Sequence, residues 1–182
     1  VLHNDLGYFQ IGPDNVATDL FRFSIYLVGI RNFNVVVSTH RTSEELSKTF
    51  RIAYELFGSP MASEPFQDLV RHDFPMTKAS AYVRSNARLM EKYFEALSHM
   101  DFHLVSAIDS KTHGFASLSL YRNLFGENDG GGGGTSLDLL LRSTNDETTA
   151  AMSSQTKPIL SVRIEFARVV DDEGTKEDEG RI

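Results

Sequence analysis

The chain has 182 residues, 41% of them hydrophobic and 24% charged, with a formal net charge of −7 and neither cysteine nor tryptophan. That length suits a single domain, and the missing cysteines exclude a disulfide framework, thiolate zinc sites and a cysteine nucleophile. Apolar runs such as Ile25–Ile30 and Leu137–Leu141 fall far short of the ~20 residues that a membrane-spanning helix needs.

In chain order, residues 1–18 read as a lead segment with a weak strand at Tyr8–Ile11. Leu20–Ile30 alternates with period two: Phe21, Phe23, Ile25 and Leu27 share one face, and Arg22, Ser24 and Tyr26 the other. Val35–Thr39 is a weaker strand, and Ser43–Lys48 fits a helical turn. Phe50–Leu56 alternates again, Phe50, Ile52, Tyr54 and Leu56 against Arg51, Ala53 and Glu55. Weak strands follow at Leu69–Phe74 and Ala79–Val83. From Ser85 to His99 the period changes: Leu89, Met90, Tyr93, Phe94 and Leu97 recur at helical spacing, with Ser85 placed as an N-cap. Phe102–Ile108 and Phe115–Tyr121 form a hairpin around Asp109–Gly114, where glycine permits the turn. Leu137–Leu141 and Ile159–Val170 complete the set, and the core should include Phe21, Phe23, Phe102, Leu104, Ile164 and Phe166.

Three stretches punctuate this pattern. Residues 126–136 hold five consecutive glycines, residues 143–157 are polar, and residues 171–182 carry six acids against Lys176 and Arg181. The first two read as flexible insertions within one domain at 19–170, the third as an acidic disordered tail. The tail holds −4 of the net charge and the other 170 residues only −3, so the body is near neutral. It has no basic stripe for nucleic acid. No basic-then-apolar secretory signal opens the chain, and a sequence that starts on Val1 reads as a piece of something longer. About eight strands with long loops and one or two helices point to a β-sandwich.

The order of segments resembles a C2 domain. FRFSIYLVGIRNF is followed by a strand ending YELFGSP, an amphipathic ARLMEKYFEALSHM, then FHLVSAID turning into GFASLSLYRNLF, and finally SLDLLLRS and ILSVRIEF. The family's pattern for its sixth and seventh strands falls on Val105, Asp109, Gly114, Ala116, Leu118, Leu120 and Leu124. The resemblance implies an all-β fold, an eight-stranded antiparallel sandwich of Greek-key type with one helix inserted between strands. More narrowly, Phe21–Phe33 with the corner Phe57-Gly58-Ser59-Pro60 resembles the C2 domains of centriolar proteins, notably the third C2 module of the centrosomal protein of 120 kDa family. This implies a cytoplasmic, centrosomal location, a role in centriole assembly and elongation, and centriolar or microtubule-associated protein partners.

Calcium needs six to eight oxygen ligands, and relatives that bind it supply aspartates from two loops. Here the first loop, Val37–Lys48, offers only Glu44 and Glu45 beside His40 and Arg41, and in the second Asp109 is followed by Lys111. No calcium site is expected, and Asp109 reads as a structural residue bonded to turn amides. Other sites fare no better. His99, Asp101 and His103 straddle a helix end and a strand start in this reading, so their side chains need not converge on a metal. The glycine run lacks the lysine of a phosphate loop, no G-x-S-x-G elbow occurs, and no triad is singled out. The reading is therefore a non-enzymatic interaction module with no cofactor and no metal. Its candidate surface is the set of outward arginines Arg22, Arg51, Arg71, Arg142 and Arg163, which alternate with Glu55, Asp138 and Glu165. Docking on phospholipid membranes is the minor alternative.

Overall fold

Phe21, Phe23, Ile25 and Leu27 all bury one side of a long strand in the structure, a computed structural model that describes residues 2–3, 7–37, 49–68, 70–125, 134–144 and 157–169. The elements in order are β1 (Leu2–His3), β2 (Tyr8–Gln10), β3 (Asp19–Arg31), α1 (Asn34–Val37), β4 (Phe50–Leu56), β5 (Ser59–Ala62) and β6 (Arg71–Ser85). They continue with α2 (Ala87–Leu97), β7 (His99–Ser106), β8 (Thr112–Ser119), α3 (Leu120–Phe125), β9 (Thr135–Leu140), β10 (Arg142–Ser143) and β11 (Ile159–Val169). One sheet has six strands in the order β1-β2-β6-β3-β11-β9, and the other five, β10-β8-β7-β4-β5. Their inner faces meet in one apolar cluster in which Phe23, Ile25, Ile52, Phe102, Leu104, Leu118, Val162 and Ile164 are buried. Of the six expected core residues only Phe166 is partly exposed, and it stacks on Phe21 at 5.2 Å between ring centroids.

The sandwich is as expected in kind and differs in detail. Eight strands, β3 to β9 and β11, do the principal pairing, and the short β1, β2 and β10 add to the sheets. The lead segment therefore contributes strands of its own. β2 lies parallel to β6, with Ile11 N donating to the Arg84 carbonyl at 3.0 Å; the other strand pairs are antiparallel. The geometry forces this exception. β2 and β3 flank β6, the chain reverses between them, and β3 already runs antiparallel to β6.

Three helices form among the described residues where one or two were expected, because local sequence yielded to tertiary packing. Val35-Val36-Val37 is a β-branched run, yet it lies in α1, whose turn is closed by Val36 N and Val37 N donating to the Phe33 carbonyl. Residues 38–48, which include the rest of that strand, the helical turn at Ser43–Lys48 and the first calcium loop, lie outside the described residues. The 126–136 and 143–157 insertions fall largely, and the 171–182 tail wholly, outside them as well. The strand at Phe115–Tyr121 stops at Ser119, and α3 takes over. Helix α2 is capped by Asn86, whose Oδ1 accepts from Leu89 N at 2.9 Å. Ser85 stays in β6 and donates instead to the Ile11 carbonyl.

The hairpin between β7 and β8 is present, but glycine serves it differently than the sequence suggested. The left-handed residue of the turn is Ser110, at φ 56°. Gly114 lies inside β8, where an added Cβ would sit 2.6 Å from the Arg142 carbonyl oxygen and 2.7 Å from Val36 Cγ1. It is there to let β10 and α1 approach the strand. At the β4–β5 turn, Phe57 and Gly58 both take positive φ, 48° and 82°, the pattern of a tight two-residue hairpin.

Gly114→Ala should therefore destabilise the chain by overpacking, by about 1–3 kcal/mol. Gly58→Ala meets open space, so it should cost only the left-handed penalty, about 1–2 kcal/mol. Phe23→Ala should cost about 3–5 kcal/mol. Denaturant midpoints at unchanged slope would check all three, and an unaffected Gly114→Ala midpoint would contradict the close approach.

Candidate interaction surface

The five arginines do not form one patch. Residues opposed across adjacent strands share a sheet face, which sorts four of them. Arg22 and Arg163 lie on the outer face of the six-stranded sheet, where Arg22 opposes Ala167 and Arg163 opposes Tyr26. Arg51 and Arg142 lie on the outer face of the five-stranded sheet, Arg51 beside Val105 and Arg142 beside Phe115. Arg71 starts β6 and is ion-paired to Asp73 at 3.0 Å. On the first face Tyr26 is flanked by Lys78 at 5.3 Å and Arg163 at 5.7 Å from its ring centre. Its hydroxyl donates to Glu165 Oε2 at 2.8 Å, and Glu165 also pairs with Arg163 at 2.7 Å. Below them the hydroxyls of Ser24 and Ser80 bond at 2.9 Å. Arg163 is thus held in place, whereas Arg22, Arg51 and Arg142 have no ion pair among the described residues.

Asp109 behaves as a turn residue. Its Oδ1 accepts from Lys111 N at 3.1 Å, while Ser110 N donates to the Ser106 carbonyl. Ile108 at the tip of this turn is 72% exposed. Among the described residues no three of His, Asp and Glu gather closely enough to hold a metal ion. His99, Asp101 and His103 do not straddle a helix end. All three are on β7 and, two residues apart, point from one face of it. Successive members are then spaced by ~7 Å along the strand.

That strand forms one wall of a cleft that sequence reasoning missed. The cleft holds ≈ 440 Å³ and lies between α2, β7 and the β4–β5 hairpin. Phe23, Phe94 and Leu120 are its floor, and Phe57, Tyr93 and Leu97 form its apolar side. The amphipathic stripe of α2 explains the shape. Met90 and Phe94 turn into the core, while Leu97, one turn on, stays 41% exposed at the edge. Glu55, His99, Asp101 and His103 also line the cleft. The signal for it was in the sequence, in the stripe of α2 and the alternation of β4 and β7. No pattern in the chain, however, shows that these elements come together.

A family described as DUF3668, Cep120 protein, matches residues 1–126 of the chain. The chain belongs to that family. It is similar to the centrosomal protein of 120 kDa of Homo sapiens, 30% identical over 104 residues, which cover 57% of the chain and 10% of that protein. The Xenopus tropicalis protein of the same name is 27% identical over the same length, 12% of its own. The chain spans about a tenth of the length of the curated relatives it matches. In fold it resembles a structure of Extended-Synaptotagmin 2 that joins an SMP domain to two C2 domains, with a TM-score of 0.52 at 10% identity over 82% of the chain and 28% of that structure. A C2 domain-containing protein aligns along 100% of its length to 90% of this chain, with a TM-score of 0.52 at 8% identity. The fold is that of a C2 domain, within a family of centrosomal proteins.

Burial holds the Tyr54 phenol above the ordinary tyrosine range. Burial, and then the Glu55 carboxylate, does the same for Tyr93. An acid whose folded pKa is raised loses stability as pH climbs from its unfolded value through its folded one, because there only the unfolded chain releases the proton. Unfolding free energy should thus fall above pH ~10, and Tyr54→Phe should blunt the fall. Denaturation at stepped pH, with tyrosinate absorbance as the monitor, checks this; an identical decline in the variant would contradict it.

Proposed function

We propose that this C2 domain is a calcium-independent protein-interaction module that acts in centriole assembly and elongation. Its partners are other centriolar or microtubule-associated proteins, and it works by binding rather than by catalysis. The observation that carries calcium independence is the Asp109 carboxylate, engaged by the Lys111 amide of its own turn. A lysine follows where a second metal-binding aspartate would be needed, and its ammonium would oppose a divalent cation. Its relatives are centrosomal proteins by name, which supports the centrosome as the location. So short a share of those proteins supports a module whose affinity is raised by neighbouring domains through effective concentration.

The outer arginines suit a protein partner better than a lipid surface. Arg22 and Arg163 are separated by ~13 Å along neighbouring strands, and Arg163 already has Glu165 as its counter-ion. Membrane docking gains about 1 kcal/mol per basic residue only where the charges cluster. Arginines dispersed over two faces offer no such cluster. Co-sedimentation with anionic phosphatidylserine vesicles, with calcium and with a chelator, tests the reading. The expected result is the same low binding in both arms. Calcium-stimulated sedimentation would overturn the proposal in favour of a peripheral-membrane domain.

A further inference from the structure

We propose that the cleft between α2, β7 and the β4–β5 hairpin docks a short segment of a partner protein that carries one large apolar side chain beside a lysine or arginine. This rests on the interaction-module reading and supplies its surface and the chemistry of its partner. Two independent features point to that occupant. The first is apolar. The stripe of α2 continues past the domain's own core, and Leu97 stays 41% exposed next to Phe57 and Tyr93, which are only partly buried. A cleft of ≈ 440 Å³ is within the usual range for pockets that seat a single compact group.

The second feature is electrostatic. The register of β4 with β7 ends at Tyr54 opposite Phe102, and beyond it Glu55 and Asp101 both line the cleft. Both alternate with buried neighbours and therefore share the outer face. Two carboxylates at one opening give it a negative potential. Elsewhere the described acids on the sheets have arginine partners: Glu165 with Arg163, Asp138 with Arg31, Asp73 with Arg71 and Asp19 with Arg168. Here Asp101 is met by the Ser117 hydroxyl, Glu55 has no ion pair among the described residues, and no lysine or arginine lines the cleft. A cation at these carboxylates offsets their charge, and the apolar side chain beside it covers Leu97, Tyr93 and Phe57. The hairpin that carries Phe57 is held in a left-handed conformation, so this side of the cleft is shaped before any partner arrives.

The test uses the whole 182-residue chain, isotopically labelled, and short synthetic peptides with a leucine or phenylalanine near an arginine. Parallel peptides carry glutamate for the arginine or alanine for the apolar residue. Amide shifts should concentrate in Glu55–Pro60, Tyr93–Leu97 and His99–His103, and either replacement should weaken binding by about tenfold or more. In the exposed double variant Glu55→Lys/Asp101→Lys, the glutamate peptide should become the better ligand. Leu97→Ala, also exposed, should lose affinity for every peptide. Shifts confined to the Arg22 and Arg163 face, binding indifferent to the sign of the peptide's charge, or shifts that follow protein concentration alone (a second copy in the cleft) overturn the proposal. Silent peptides together with calcium-indifferent vesicle binding would remove the cleft and leave the module reading standing. Calcium-stimulated vesicle binding removes the module reading whatever the peptides do.

Discussion

Three phenylalanines from three layers hold this fold together. Phe23 of β3, Phe94 of α2 and Phe57 of the β4–β5 turn lie 5.6–6.3 Å apart between ring centres. Phe166 and Phe125 extend the group, at 5.7 Å and 5.9 Å from Phe94. Aromatic pairs at such distances contribute about 0.5–1.5 kcal/mol beyond their burial. Phe57 has a positive φ, which costs about 1–2 kcal/mol for a side chain with a Cβ; its contacts with Phe9, Phe23 and Tyr93 offset that cost. The same rings that close one end of the sandwich also fix α2 against both sheets. That is why a cleft exists beside the helix at all. A second aromatic group, Phe33, Phe50, Phe66 and Phe74, seals the other end.

Alternation in Leu20–Ile30 and Phe50–Leu56 was legible because each strand has one buried face and one open one, and period two follows directly from that. β6 was harder to read and looked like two short strands with a proline between them. The register explains it: Leu27 pairs with Thr77 and Gly29 with Asp73, so Val28 faces a bulge that contains Phe74, Pro75 and Met76. Proline tolerates that position because the bulge makes no ladder bond there. β5 was invisible for a related reason, a short edge strand with Pro60 in it. α1 and α3 are too short for a helical period to register. Gly114 was rightly singled out but given the wrong task, since a close backbone approach leaves no local mark in the sequence.

The site was less legible than the fold. Outward arginines are easy to list from alternation, but alternation does not say which sheet a strand joins, and the five divide between two faces and an ion pair. The cleft needed the opposite knowledge, that α2 packs beside the turn carrying Phe57 and that β4 and β7 are neighbours. His99, Asp101 and His103 illustrate the point. Placed across a helix end they had no common direction, and placed on one strand they share a wall with Glu55. What separates a spectator surface from a binding one here is charge balance on the sheets, with the other described strand acids matched by arginines and Glu55 and Asp101 left at an apolar opening.

All of this depends on α2 being fixed to the sandwich before any partner binds. Native-state hydrogen exchange on the isolated chain measures that directly. The amides of Phe94 and Leu97 should exchange with the same opening free energy as those of Phe23 and Phe102, because the aromatic group joins them in one cooperative unit. Exchange of the α2 amides at the rate of unprotected residues, with β3 and β7 still protected, would contradict it and leave the cleft without its wall.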